Sequence, residues 1–209
     1  MLITLLFQNP ALFIAGIFAI IISLTIHEFA HALAAAVFGD DTAKNEGRLS
    51  LNPLVHLDPV GSLMLLFAPI GWAKPVPVNP YNLRHPRFHG ALVALAGPFS
   101  NLVAVVISII LFKILGPLLG GTNLLVLLLV ILIQINTMLM VFNLLPIPPL
   151  DGSNVLLNAL PDRYAGFKDK LVTYGPMLLL GLILGNYFLN LGILEAIFGW
   201  VFGFIERFI

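Results

Sequence analysis

Apolar residues run along this chain in long blocks separated by short polar stretches. A membrane span takes roughly 20 such residues, because each adds about 1.5 Å and the hydrocarbon layer is about 30 Å thick. Blocks of that size run from about Ala11 to Phe38, Ala91 to Leu115, Leu124 to Leu145 and Leu171 to Leu189. The tail Ile193 to Ile209 is shorter and predicts either a last short span or a helix lying at the interface. The pattern therefore predicts an all-α polytopic membrane protein with about four to five transmembrane helices. Residues 1–209 read as a single domain, with a core at about 11–160 and C-terminal helices at about 170–209.

Between the first two blocks lies "GSLMLLFAPIGW" (61–72), whose 12 residues are too few to cross. Pro69 and Gly71 interrupt it, which predicts a re-entrant or interfacial segment. It runs into "AKPVPVNPY", where Pro75, Pro77 and Pro80 forbid a helix and favour extended backbone.

Composition sharpens this picture. Apolar residues make up 59% of the chain and charged residues only 10%, against about 25% in a soluble domain. Such a chain needs lipid around it. Net charge is zero and no basic stripe is present, so nucleic acid is not an expected partner. There are no cysteines, so a bound metal must use His, Asp or Glu. The start "MLITLLFQNPALF" has no basic region and no small-residue cleavage site, which predicts no removable signal peptide.

Charge in the loops predicts orientation. Lys44, Arg48, Lys74, Arg84 and Arg87 lie between the first two blocks, and Arg163, Lys168 and Lys170 follow the third. The turn "GPLLGGTN" and the first ten residues hold none. The N-terminus is thus expected outside and these loops in the cytoplasm, with Lys113 snorkelling.

The chemistry sits in "SLTIHEFAHALAAAVFGD" (23–40). His27 and His31 are four apart, so on a helix both imidazoles lie on one face and can meet one ion. Glu28 flanks that face and can reach a water held by the metal. This is the HExxH arrangement of metalloproteases, with Glu as general base. An ionisable side chain in a span costs roughly 2.5–3.5 kcal/mol, so three together imply a use beyond packing. A catalytic zinc takes three protein ligands. The candidates for the third are His56, Asp58, His85, His89 and Asp151. Asp151 also reads as a cap for the helix in "SNVLLNAL".

Other polar positions weigh less. Asn136 and Asn143 are seven apart and share a face, and with Gln134 and Thr137 they predict a route for water. Gly97 and Pro98 predict a bend and close packing, with Gly97 leaving room beside a metal, and Asn101 could orient a ligand. His56 and Asp58 read as loop hydrogen-bonding groups. An extended "GWAKPVPVNP" (71–80) could bind an unwound substrate edge to edge through Val76 and Val78. Intramembrane His and Asp also mark metal carriers, and an inactive scaffold is a third class. A carrier would not need Glu28 and usually shows repeated halves, of which there is no sign.

The set HEFAH, GPFSN (97–101) and "NLLPIPPLDG" (143–152) resembles the site-2 proteases, the intramembrane zinc metalloproteases. "HLDPVG" (56–61) and "GWAKPVPVNP" resemble their small prokaryotic branch, which lacks PDZ and CBS domains. The match covers about residues 20 to 160. The resemblance implies one zinc per chain held by His27, His31 and Asp151, with Glu28 as general base and Asn143 near the substrate or oxyanion. It implies a membrane-dipping β-hairpin between the first two spans. It also implies regulated cleavage of membrane-anchored substrates such as anti-sigma factors, in a prokaryotic plasma membrane, with the site toward the cytoplasm.

Overall fold

The computed structural model describes residues 2–67 and 71–208. Among these, the chain forms α1 (Leu2–Gln8), α2 (Pro10–Val37), α3 (Thr42–Asn45), α4 (Pro59–Phe67) and α5 (Pro86–Leu119). After these come α6 (Leu124–Asn143), α7 (Asp151–Ala159), α8 (Ala165–Leu189) and α9 (Ile193–Ile205). Helices α2, α5, α6 and the stretch Asp162–Leu189 that holds α8 are long and apolar enough to cross a membrane.

Local chemistry sets their starts. Asn9 caps α2 by accepting from the Leu12 N–H at 3.1 Å, and Pro10 follows where a helix needs no donor. Asn123 caps α6 in the same way, accepting from Leu125 at 2.9 Å. Helix α5 begins at Pro86, ahead of the expected Ala91, and runs to Leu119, because proline at the first position extends the helix into the polar loop. Helix α8 begins at Ala165, six residues before Leu171, and carries Lys168, Asp169 and Lys170 in its first turns.

Helix α5 is the centre of the bundle and packs against α2, α6 and α7. The buried face of α2 is small or polar, including Ala15, Ala19, Ser23, His27 and His31, while Phe18, Ile22 and Leu33 are exposed. That inversion suits a protein whose solvent is lipid, where small residues let helices approach. The tail folds as α9, 13 residues or about 20 Å long, and buries Ile205 with Val105 of α5 and Ile133 of α6.

The expected β-hairpin between the first two spans is not found. Among the described residues there is no strand, only an isolated antiparallel bridge between Leu57 and Ala73. Residues 59–67 form α4, and 71–79 continue without helix or ladder. Proline explains this, since Pro75, Pro77 and Pro80 offer no N–H to a partner strand. The break expected at Pro69 lies outside the described residues. Helix α4 packs directly on the extended stretch: a Cβ on Gly61 would sit 2.1 Å from the Trp72 carbonyl oxygen.

Candidate metal centre

One turn of α2 brings His27 and His31 together. Their Nε2 atoms are 3.1 Å apart. Asp151 opens α7 and sends Oδ2 to 3.1 Å from His27 Nε2 and 3.3 Å from His31 Nε2. Its arrival depends on Gly152, where a Cβ would sit 2.2 Å from the Leu144 carbonyl oxygen at the end of α6. Among the described residues these three form the one group spaced to hold a metal.

The far sides of the two rings fix the protons. His31 Nδ1 lies 2.7 Å from the Val93 carbonyl oxygen, which can only accept, so Nδ1 carries the hydrogen. His27 Nδ1 lies 2.6 Å from Asn101 Oδ1. The Asn101 amide is oriented by its own Nδ2, which donates to Asn136 Oδ1 at 2.7 Å. Neutral imidazoles so held turn bare Nε2 lone pairs toward each other and toward a carboxylate oxygen. Asp151 Oδ2 is buried with no hydrogen-bond donor. Three acceptors this close repel unless a cation lies between them. Two imidazoles and a carboxylate without thiols suit zinc.

Helix α5 leaves room for that ion. A Cβ on Gly97 would lie 2.3 Å from His31 Nε2 and 2.6 Å from His27 Cε1. Behind His27 the polar chain continues: Asn136 Nδ2 donates to Ser23 Oγ and to the Leu132 carbonyl, each at 2.8 Å. Asn101, Asn136 and Ser23 are fully buried. Asn136 therefore sits behind the histidines and not on the cavity wall.

The cavity in front measures about 680 Å³. Its walls include His27, Glu28, His31 and Asp151, together with Asn143, Trp72, Val76 and Val78. The Glu28 carboxylate makes no hydrogen bond among the described residues. Asn143 donates one amide hydrogen to its own helix, at the Leu139 carbonyl, 3.0 Å away.

The chain is 41% identical over 183 residues to the Bacillus subtilis protein named "Putative zinc metalloprotease YwhC", covering 83% of each. The chain belongs to the site-2 protease family. It is also 32% identical over 151 residues to "Putative zinc metalloprotease Rip2" of Mycolicibacterium smegmatis, and 35% over 154 residues to Rip2 of Mycobacterium tuberculosis. It spans 57% and 56% of those two proteins. No family model matches the chain, and no solved structure matches it.

Within this site-2 protease the other candidate ligands lie elsewhere. The His85 N–H donates to His89 Nδ1 at 3.1 Å, and His89 stacks on Phe38 with centroids 4.4 Å apart. His56 Nε2 donates to the Ser50 carbonyl at 2.7 Å, and Asp58 accepts from the Gly61 N–H at 2.7 Å, starting α4. Sequence reasoning missed Ser23, although Ser23, His27 and His31 recur every four residues on one face. It also missed Asp40 and Arg48, which carry no periodic signal.

Proposed function

We infer that this chain is an intramembrane zinc endopeptidase, hydrolysing peptide bonds within or near transmembrane segments of membrane-anchored proteins. The observation that supports it most is the convergence of two imidazole Nε2 atoms and the Asp151 carboxylate on the wall of a cavity shared with Glu28. Zinc held by His27, His31 and Asp151 supplies Lewis acidity toward water and the scissile carbonyl. Glu28 takes the proton of the attacking water and returns it to the leaving amine. Asn143 keeps one amide hydrogen unused and donates it where negative charge develops on the carbonyl oxygen.

The remaining groups position these. Val93 and Asn101 hold the imidazoles, Asn136 holds Asn101, and Gly97 keeps α5 clear of the ion. Val76 and Val78 pair with the backbone of an unwound substrate. A peptide inside a helix is shielded by its own turns, so unwinding must precede cleavage. We assign 11–160 as the catalytic core and 170–209 as helices flanking it. Loop lysines and arginines support a plasma-membrane topology with the N-terminus outside and the site toward the cytoplasm. Membrane-anchored regulators of the anti-sigma type are the substrate class this reading suggests.

The test is Glu28→Gln in purified protein, with a model transmembrane peptide carrying a helix-breaking residue. A protease keeps its zinc and loses cleavage by about a thousandfold, the middle of the range for a general-base effect. Unchanged cleavage would overturn the assignment of Glu28, and a protein that never cleaves would overturn the enzyme reading in favour of a metal carrier or scaffold.

A further inference from the structure

Two charged side chains in the first loop are buried without an ion pair among the described residues. Asp40 is 0% exposed and Arg48 is 4% exposed. Burying a lone charge is costly unless hydrogen bonds compensate it. Each sends at least one of those bonds to the backbone of residues 74–79. Arg48 donates Nη1 to the Pro75 carbonyl at 3.2 Å and Nη2 to the Lys74 carbonyl. Asp40 Oδ2 accepts from the Asn79 N–H at 2.7 Å. Its other oxygen accepts from the Thr42 N–H at 3.1 Å and hydroxyl, and from Asn82 Nδ2 at 3.0 Å. Gly39, with φ +109°, turns the chain out of α2 so that Asp40 can reach this position.

The extended stretch is thus clamped at both ends, and Lys74 adds a third tie by donating its N–H to the His56 carbonyl at 2.8 Å. Between the clamps lie Val76, Pro77 and Val78. Pro77 has no N–H. Val76 and Val78 make no backbone hydrogen bond to a described residue, and both face the cavity that holds His27 and Glu28. In extended backbone, alternate residues present N–H and C=O to the same edge. Val76 and Val78 thus leave two N–H donors and two C=O acceptors without backbone partners among the described residues, beside the cavity and on a backbone fixed at both ends.

We propose that Arg48 and Asp40 are positioning residues that hold residues 74–79 extended, so that Val76 and Val78 can pair with the backbone of an unwound peptide substrate. The inference rests on reading the cavity as a protease site. Ordering the segment in advance lowers the entropy lost on binding. Loss of a clamp should therefore weaken peptide binding while leaving zinc in place. Arg48 holds two neighbouring carbonyls with one planar, pre-organised fork, which a flexible lysine ammonium matches less well.

The experiment uses full-length Glu28→Gln protein in nanodiscs, which separates binding from cleavage. The probe is a leucine-rich transmembrane peptide with a central Asn-Gly break. Its dissociation constant, zinc content and amide exchange at 76–79 are read together. The expected results are protection of the Val76 and Val78 amides by peptide, and about tenfold weaker binding in Arg48→Gln with zinc unchanged. Arg48→Lys, which keeps the charge, should fall between, and Asp40→Asn should expose the Asn79 amide to exchange. If Arg48→Gln and Arg48→Lys both bind as the parent does, or if binding and zinc fall together, the inference is overturned. A parent that binds no peptide overturns it too. If binding depends on Arg48 but the wild type cleaves nothing, the inference stands and the protease reading fails.

Discussion

The two sides of the metal centre are built differently. Behind it, His27 is held by Asn101, Asn136 and Ser23, fully buried groups on three long helices. In front, the cavity wall is a proline-rich stretch without helix or ladder, fixed by side chains from a loop. The rear arrangement sets where a metal sits and which nitrogen meets it. The front arrangement leaves backbone groups open to a passing chain. Changes at the rear should therefore move zinc and cleavage together, and changes at the front should move cleavage alone.

The strongest test of that contrast is Gly97→Ala. The added methyl would overlap His31 and His27, so zinc affinity should fall about a hundredfold and cleavage with it, by zinc titration. Asn101→Ala comes next. It frees His27 to rotate and change tautomer, and should weaken zinc by about thirtyfold. Retained zinc with lost cleavage would place Asn101 on the substrate side instead. Val76→Pro and Val78→Pro each remove a donor at the front, and should reduce cleavage about tenfold at unchanged zinc content. Normal cleavage in both would end the docking idea.

A smaller effect is expected from Asn136→Ala, about threefold in zinc affinity, because Asn101 keeps its bond to His27. Asp40 gives the smallest signal. Burial pushes its carboxyl up, but the hydrogen bonds from Thr42, Asn82 and Asn79 outweigh this and hold it below the ordinary 3.8. Its contribution to stability is full above that pH and is lost as the pH falls through the lowered folded value. The difference in unfolding midpoint between wild type and Asp40→Asn should shrink on acidification below pH 3.8. A difference independent of pH would mean that the carboxylate contributes nothing as a charge.

How much of this could be read from the sequence depended on range. The four long helices were legible because lipid demands a continuous apolar run, and His27 and His31 because helical periodicity turns spacing into geometry. Asp151 needed the family resemblance, since nothing local says that α7 returns to α2. The clash that keeps position 97 a glycine exists only once α5 crosses α2. Arg48 and Asp40 look like ordinary loop charges, because a sequence does not tell a buried charge from a solvated one. Prolines in 71–80 forecast the lack of an α-helix in 71–79, although Pro80 itself opens a short 3-10 helix over Pro80–Asn82. The same prolines remove the donors a hairpin would need, and that consequence outweighed the family pattern.

The central claim is that His27, His31 and Asp151 hold one zinc. Zinc content with K-edge X-ray absorption, on purified wild type and Asp151→Ala, tests it most directly. The account predicts about one zinc per chain in the wild type, with two imidazole nitrogens at about 2.0–2.1 Å, and loss of most of it from Asp151→Ala. Wild type that holds no zinc after purification with zinc supplied, or an Asp151→Ala protein with full zinc and the same coordination, would contradict it.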